Sequence, residues 1–359
     1  MSPDGMLRSI YRRVTSGGGD DAIKLREDGF YTAKTTDALF PRTTPATDGD
    51  ECLHDCSSCS IAYPRKFAID EEDKLYGHIN GFARHLIVAT GETDWVRSVE
   101  DVKGSVMEAV GEHINMVEGG TLMLSASNIP PPDIPGNHIG PYGVDRPTTV
   151  LLMPSFTYIE NVTPKHVLEL IQSVINTAPT ATMPLEPEGT RDSNGDVPHT
   201  ALPSPPTKLP AGLSLRACPH KYIILLCSQA TRDARCGQSA PLLRKELERH
   251  LRPLGLYRDL HDERPGGVGI YFISHVGGHK YSANMMVYRR AEPPRSVQQQ
   301  INGTSKETEG EAAQCIWLAR IRPEDCENVV RYTVLQGKVV KPERQLRGGF
   351  DREKGLVSW

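Results

Sequence analysis

One order of strands and helices occurs twice along this chain, and this repetition constrains its fold more than any other feature. Each block runs strand, helix, strand, strand, helix, with one additional strand before the last helix of the second block, as judged from apolar runs and amphipathic periodicity. The first block has strands at 85–90, 121–127 and 148–154 and helices at 103–117 and 164–177. The second has strands at 221–229, 268–274, 284–290 and 314–321 and helices at 240–251 and 323–337, with 284–290 expected as the hairpin partner of 268–274.

This order predicts the fold class. A strand–helix–hairpin–helix succession is typical of a thioredoxin-like unit, in which helices cover a small sheet. We therefore predict an α/β chain of two tandem thioredoxin-like domains, of which only the second keeps metal ligands. The predicted bounds are a mobile N-terminal arm at 1–50, a degenerate domain at 51–178, a Pro-rich linker at 179–213, and a second domain at 214–359 with an insert at 291–311.

Composition excludes several classes of protein. The chain has 359 residues, more than one core usually supports, and a formal net charge of −4, which gives no basic excess for binding nucleic acid. The apolar run at 222–226 is far shorter than the ~20 residues that span a bilayer, so we expect no membrane partner. Without a secretory signal, a cytoplasmic location with reduced thiols is expected, and the basic stretch at 6–19 leaves a mitochondrial address as the alternative.

Four residues in the second block form a complete set of metal ligands. Cys227 and Cys236 are separated by eight residues, and His275 and His279 by three. Cys227 lies at the end of one predicted strand and His275 at the end of another, and Cys236 and His279 are expected in the loops that follow. Loops at the carboxyl ends of neighbouring strands, ~5 Å apart, can share one site. The residues alone leave an iron–sulfur cluster, structural zinc and no metal as alternatives.

The spacing of the two histidines also invites comparison with the zinc protease motif, which needs a helix and a glutamate after the first histidine. Here Val276 follows His275, and Gly277-Gly278 would break a helix, so protease activity is not expected. Zinc bound by Cys2His2 in an interaction module without redox activity stays the main alternative. The two glycines instead suit a loop whose backbone comes close to an inorganic cluster.

The motif C-x8-C followed by HVGGHKY resembles the sucrase/ferredoxin-like proteins of the actin-patches-distal type, a branch of the thioredoxin-like ferredoxins. The resemblance extends through 62–77 and 85–95 to RGGF at 347–350. The long inserts, Gln229 and Ser282 depart from the family pattern, but none of them is a ligand. The resemblance implies that the C-terminal domain is a thioredoxin-like ferredoxin. It also implies that Cys227, Cys236, His275 and His279 bind a 2Fe-2S cluster.

Under this interpretation the histidines set the redox behaviour. Two thiolates and two neutral imidazoles leave an oxidised cluster without net charge, whereas four thiolates would leave it doubly negative. Its potential should therefore lie above that of plant-type ferredoxins and fall with rising pH as a ligand imidazole releases a proton. We expect one-electron transfer or redox sensing with a flavoprotein or other electron donor. Catalysis is less expected, and no paired carboxylates indicate a glycosidase.

Charged residues surround the ligands. Arg232, Arg235 and Lys280 either donate to sulfur or attract an acidic redox partner, or they form a solvated positive rim.

A second cysteine-rich stretch, ECLHDCSSC, contains Cys52, Cys56 and Cys59. It is either a cysteine-rich turn at the start of a domain or a second metal or redox site. In the latter case a thiol oxidoreductase becomes a third functional hypothesis.

Val357-Ser358-Trp359 at the C-terminus resembles the tail by which client proteins dock on the cytosolic iron–sulfur targeting complex, and this resemblance makes Trp359 a targeting residue and favours the cytosol.

Overall fold

The computed structural model describes residues 22–132, 146–185, 209–291 and 310–359. Within these ranges the chain forms a mixed α/β fold around one large mixed sheet. Its strands are β1 Ile23–Leu25, β2 Tyr31–Ala33, β3 Arg84–Ala89, β4 Leu122–Ser127, β5 Thr148–Met153, β6 Thr157–Val162, β7 Ser214–Ala217, β8 Tyr222–Cys227, β9 Tyr257–Arg258, β10 Val268–Ile273, β11 Met285–Arg290, β12 Ala312–Leu318, β13 Leu346–Asp351 and β14 Leu356–Val357.

The strands follow the order β1-β2-β14-β13-β12-β11-β8-β10-β4-β3-β5-β6-β7, with β9 beside β10. Strands β4 and β10 meet near the middle of this order as antiparallel neighbours, where Ser127 lies opposite Ile273. The sheet therefore has an N-terminal half, from β4 to β7, and a C-terminal half, from β10 to β1. The two halves share one continuous sheet.

Outward from this junction, the two halves have the same strand order. The N-terminal half runs β4-β3-β5-β6 and the C-terminal half β10-β8-β11-β12. In each, the first two strands are parallel and the next two are added antiparallel. The repeated pattern in the sequence thus corresponds to a repeated topology in the structure.

The helices are short, apart from one. They are α1 Thr36–Leu39, α2 Pro45–Asp48, α3 Val106–Glu112, α4 Val167–Leu170, α5 Ala234–Leu251, α6 Cys326–Asn328 and α7 Pro342–Gln345. The 3-10 turns are Asp50–Leu53, Val99–Asp101, Ile114–Met116, Pro164–His166, His279–Tyr281 and Pro323–Asp325, and the π turns are Ile171–Ile175 and Val329–Val334. The helices predicted at 164–177 and 323–337 both consist of a proline-started 3-10 turn, an α turn and a π turn.

The central strands are buried on both faces, which explains their continuous apolar runs. All six residues of β8 are buried. Ile224 and Leu226 belong to the apolar cluster that includes Leu243 and Leu247 of α5, and Ile223 and Leu225 belong to a second cluster. Each side chain buried in this way contributes about 1.5–3 kcal/mol. The aromatic members of the second cluster include Phe82, Phe156, Trp317 and Phe350.

Part of the predicted mobile arm is ordered. Residues 22–50 form β1, β2, α1 and α2, and β2 pairs with β14 through Tyr31 opposite Leu356. Leu39 and Phe40 are fully buried. The prediction of an arm over 1–50 is therefore wrong for 22–50, because strand pairing and these two buried side chains fix the segment. Residues 1–21 lie outside the described residues.

Two further segments differ from their predicted places. Residues 214–217, predicted to belong to the second domain, form β7, which pairs with β6 of the N-terminal half. Strand β11 pairs with β8 and β12, and not with β10, because β10 lies on the other side of β8. Most of the Pro-rich linker, 186–208, and of the insert, 292–309, lies outside the described residues. Among the helices that the structure describes, none has the length and apolar character needed to cross a membrane.

Candidate metal centre

The two cysteines of the predicted quartet are positioned by β8 and α5. Cys227 is the last residue of β8, as predicted. Cys236 lies in the first turn of α5 and not in a loop, because the helix begins at Ala234 and contains Pro241 in its interior. The side chain of Asp233 accepts a hydrogen bond from the backbone N–H of Arg235 at 2.9 Å, and this N-cap starts the helix earlier than Pro241 alone indicates.

The two histidines follow β10. His275 comes two residues after the strand ends, and its side chain is half-buried. Gly277 and Gly278 adopt φ angles of 82° and 69°, which residues other than glycine rarely adopt. These two residues turn the chain so that His279 begins a 3-10 turn, with its side chain exposed.

The structure brings three of the four predicted ligands together. One ligand atom each from Cys227, Cys236 and His275 lies within 4.8 Å of the others. The Sγ of Cys227 is 3.9 Å from Nδ1 of His275. His279 lies beside this group and not in it, with its ring centroid 5.3 Å from that of His275. The four residues therefore surround one location at the carboxyl ends of β8 and β10.

The two sulfur atoms differ in their electrostatics. The pKa of Cys236 is lowered, because the Cys227 thiol, His275 and the Ser282 hydroxyl all stabilise its thiolate. The Ser282 Oγ is 3.4 Å from the Cys236 Sγ. Cys227 is fully buried, and the neighbouring Cys236 together with this burial raises the pKa of Cys227. In the absence of a metal the pair therefore favours one thiolate, on Cys236, and a thiolate is the form that binds metal.

The loop after Cys227 is held by the N-terminal half. The side chain of Gln229 accepts a hydrogen bond from the backbone N–H of His275 at 2.8 Å and donates to the carbonyl of Val96 at 2.5 Å. The Ser228 hydroxyl donates to the carbonyl of Thr93 at 2.7 Å. Gln229, predicted only as a departure from the family pattern, thus connects both ligand loops to residues 93–96.

A buried arginine supports the glycine turn between the histidines. Arg347 donates hydrogen bonds to the carbonyl of Gly277 at 3.1 Å, to Oδ1 of Asn284 at 2.8 Å and to the carbonyl of His78 at 3.2 Å. Burial lowers the pKa of Arg347 to about 10, and Tyr281 and Cys227 oppose this effect. Its Nε has no hydrogen-bond partner among the described residues. Arg347 therefore places a buried positive charge near Cys227.

Sequence reasoning did not assign a role to Arg347. The RGGF motif that begins with it was part of the family resemblance, and this motif was the available signal. Gly278 packs closely against Arg347, since a Cβ at position 278 would lie 2.6 Å from the guanidinium of Arg347.

The other basic residues near the site have partners of their own. Arg235 pairs with Asp233 at 2.8 Å, Lys280 pairs with Asp73, and Arg232 donates to the carbonyl of Arg97 at 3.3 Å. These contacts agree with the interpretation of the three basic residues as a solvated positive rim around the site.

The second cysteine motif is divided by the structure. Cys52 and Cys56 are buried, and Cys59 is half-buried. Cys56 lies 3.8 Å from Nε2 of His250, at the C-terminal end of α5. Among the described residues, no group of metal-ligand side chains with ligand atoms within 4.8 Å of one another includes Cys52. The three cysteines therefore do not converge on one point.

Trp359 packs against the sheet. Its indole stacks on Phe82 with ring centroids 5.4 Å apart, and its backbone carbonyl accepts hydrogen bonds from Arg26 at 2.5 Å and Thr32 at 3.0 Å.

A mixed α/β fold with cysteine and histidine side chains gathered at adjacent strand ends defines the chain as a candidate metal-binding α/β protein. A family model described as sucrase/ferredoxin-like matches residues 75–348, and the chain belongs to this family. The matched range includes Cys227, Cys236, His275 and His279. It excludes the second cysteine motif and Trp359.

Curated relatives agree with this assignment. The chain is 25% identical to actin patches distal protein 1 of Saccharomyces cerevisiae over 340 residues. This alignment covers 90% of this chain and 92% of that protein. It is 31% identical over 122 residues to altered inheritance of mitochondria protein 32 of Clavispora lusitaniae, 34% of this chain and 33% of that protein. The protein of that name in Debaryomyces hansenii is 30% identical over 121 residues, 34% of each chain. No solved structure matches the chain.

Proposed function

We propose that the chain binds a 2Fe-2S cluster through Cys227, Cys236, His275 and His279 and acts in one-electron transfer or redox sensing. The observation that carries this proposal is the convergence of Cys227, Cys236 and His275 within 4.8 Å, with the His279 ring beside them. Membership in a family described as ferredoxin-like supports a redox role.

The residues present fit such a group. Both sulfur atoms lie at one end of the sheet, and backbone hydrogen bonds from Gln229 and Val276 oppose the effects that raise the pKa of Cys227. A Cβ at Gly277 would meet no atom within 4 Å, so the backbone between the histidines is open on that side. Backbone donors and an accessible glycine backbone are what a sulfide-containing cluster requires.

When bound, the cluster would supply one-electron chemistry. The chain's own residues define its surroundings. Gln229 and Arg347 fix the two loops, and the buried charge of Arg347 favours added negative charge near Cys227. The exposed side of His279 leaves a solvent route for the proton of its second ring nitrogen. We therefore propose that the potential falls as pH rises.

We also propose that the two halves are tandem thioredoxin-like domains, of which only the C-terminal one keeps ligands. The repeated order, with a parallel pair followed by two antiparallel strands, supports this interpretation. The proposed domains keep their cores at 51–178 and 214–359, although β7 joins the first half and β2 the second.

A redox partner protein, such as a flavoprotein, is part of this proposal. A cleft lined by His78, Val276, Gly278 and Trp317 opens beside the glycine turn and offers a surface where such a partner could approach the site. We propose a cytoplasmic location. Docking of Trp359 on the cytosolic iron–sulfur targeting complex would require its indole to leave Phe82.

The direct test is the visible spectrum and metal content of the full chain, purified without added metal. A red-brown sample with iron and acid-labile sulfide near two per chain is expected. A colourless sample in which Cys227 and Cys236 bind zinc would contradict the proposal and favour a zinc-stabilised interaction module.

The histidines are tested by His275→Cys. A thiolate in place of an imidazole adds negative charge, so the variant should keep a cluster whose potential is lower, on the order of 100 mV, and depends less on pH. Redox titrations from pH 6 to pH 10 measure both effects. An unchanged potential in this variant, or a flat profile in the unaltered chain, would remove the role of the histidines.

A further inference from the structure

A second group of metal-ligand side chains lies at the other end of α5. Ligand atoms of Cys56, Glu246 and His250 all lie within 4.8 Å of one another. Cys56 and Glu246 are buried, and His250 is half-buried. His250 is fourteen residues along the helix from Cys236, or about 21 Å. This group is therefore distinct from the candidate cluster site.

Two distances in this group match those of a tetrahedral metal site. The Nε2 of His250 is 3.3 Å from Oε1 of Glu246 and 3.8 Å from Sγ of Cys56. Metal–ligand bonds of ~2.0–2.3 Å at tetrahedral angles place neighbouring ligand atoms about 3.3–3.8 Å apart. Two edges of the tetrahedron are already present without a metal.

Glu246 provides an independent observation. Its side chain is fully buried, and its Oε2 has no hydrogen-bond partner among the described residues. A buried carboxylate oxygen without a partner is costly, so it indicates a missing cation or donor. Burial, with Glu246 and Cys56 adding to it, raises the pKa of Cys59, and its thiol donates to the carbonyl of Ile61 at 3.2 Å.

Arg249 now occupies the position between these ligands. Its Nη2 lies 3.2 Å from the Cys56 sulfur and 3.0 Å from Nε2 of His250, and it pairs with Oε1 of Glu246. One nitrogen of a cation thus contacts all three ligand atoms. The Arg249 side chain is 39% exposed, so it can swing into solvent when another cation enters.

We propose that Cys56, Glu246 and His250 bind a zinc ion, and that Cys59 turns from the carbonyl of Ile61 to supply the fourth ligand. A thiolate, an imidazole and a carboxylate at tetrahedral spacing suit zinc, and a fourth ligand from a second cysteine closes a structural site. The ion joins the segment around 51–60 to the C-terminal end of α5, whose first turn carries Cys236. It displaces the Arg249 guanidinium and does not depend on the proposed cluster.

The test is zinc and iron content of the full chain by mass spectrometry of the metals, for the unaltered protein and for His250→Ala. The unaltered chain should hold about one zinc per chain, and the variant should lose nearly all of it while its iron content stays unchanged. Cys56→Ser should have the same effect. His54→Ala is the matched control, because it removes an exposed histidine of the same motif and should leave zinc bound.

Arg249→Ala separates a metal site from an ion pair. If zinc displaces Arg249, the variant should keep its zinc or bind it more tightly in competition with a chelator. If the group is only an ion pair, the variant should bind no zinc and melt at a lower temperature than the unaltered chain. Zinc that survives His250→Ala, or that is lost with Cys227→Ser and Cys236→Ser instead, would also overturn the inference. Neither result depends on whether the cluster forms.

Discussion

The two halves of the sheet share a strand order but use the ends of their central strands differently. Cys227 ends β8 opposite Ile273 of β10, and in the other half Ala89 ends β3 opposite Ser127 of β4. The residue two positions beyond the second strand is His275 in one half and Ile129 in the other. The positions of Cys227 and His275 are thus taken by the buried apolar residues Ala89 and Ile129 in the N-terminal half.

The N-terminal half uses these strand ends to hold the molecule together. The backbone N–H of Asn128 donates to the carbonyl of Phe272 at 3.2 Å, and the N–H of Ser274 donates to the carbonyl of Ala126 at 2.9 Å. The Asn128 side chain also accepts from the N–H of Phe272 at 2.7 Å. Because one half forms the same strand order without ligands, the fold does not require them. Loss of a candidate ligand should therefore leave the fold intact, and variants can test this conclusion.

The largest expected effect comes from Cys236→Ser. It should abolish cluster binding and the visible colour, because the thiolate on the first turn of α5 is lost, while far-ultraviolet circular dichroism stays unchanged. Cys315→Ser is the control, since it also removes a buried thiol, from β12, outside the candidate site. Loss of the folded spectrum in Cys236→Ser alone would show that the C-terminal half needs its metal to fold.

Two buried arginines, one in each half of the sheet, allow a second comparison between the halves. Arg84 of the N-terminal half donates to the carbonyls of Glu118, Asn176 and Ala178, much as Arg347 donates beside the candidate site. Burial lowers the pKa of each arginine to about 10. Each arginine-to-methionine variant should lose about 2–4 kcal/mol of unfolding free energy, because buried acceptors are left without donors.

Arg347→Met should also lower the potential of the proposed cluster and Arg84→Met should not, since Arg347 interacts electrostatically with Cys227 whereas burial alone shifts the pKa of Arg84. Urea unfolding and redox titration of both variants measure the two effects. A potential that shifts equally in Arg84→Met would show that the change reflects general destabilisation.

Much of this arrangement is visible in the sequence, for physical reasons. Strand β8 is apolar throughout and β3 is apolar from Leu86 to Ala89 because both faces are buried, and the strand ends predicted at 90 and 229 lie within two residues of the observed ends at Ala89 and Cys227. Cys227 was located correctly for this reason. The joining of both halves into one sheet was not predictable, since it depends on a single residue pair, Ile273 opposite Ser127, and on hydrogen bonds between backbone groups.

Side-chain caps and distant partners account for the errors at the site. The start of α5 was predicted too late because Pro241 resembles a first-turn proline, whereas Asp233 caps the helix. The partners of Cys56 are on α5, far along the chain, so spacing within the motif could not indicate Glu246 or His250. The order of β2 beside β14 likewise needs contacts between the two ends of the chain.

His85 links the two halves across the sheet face. It should make stability depend on pH, an effect of intermediate size among these predictions. Its Nδ1 lies 3.0 Å from the hydroxyl of Tyr288 and its Nε2 lies 2.9 Å from that of Ser125. Burial lowers the pKa of His85 to about 3, from an ordinary value of 6.5. Between these values the unfolded chain binds the additional proton, so stability falls as the pH falls.

Acidification from pH 7 to pH 5 should therefore lower the free energy of unfolding by about 2 kcal/mol through His85. Chemical denaturation at both pH values tests it. His85→Gln should reduce the pH-dependent loss by that amount, and His261→Gln, at an exposed position, should leave it unchanged. An equal loss in His85→Gln and the unaltered chain would assign the acid sensitivity to other groups.

The smallest effect is expected at Gln229, where the N-terminal half holds the ligand loops of the other half. Gln229→Leu removes the hydrogen bonds to His275 and Val96 but keeps most of the buried volume. We expect a loss of about 1–2 kcal/mol of unfolding free energy and faster release of iron to a chelator, because His275 is less well oriented. Thr231→Val is the control, since it removes only the exposed hydroxyl contact to Asp94 at 2.8 Å. If both variants release iron at the rate of the unaltered chain, the N-terminal half contributes to stability alone, and the ligand loops are oriented by the C-terminal half itself.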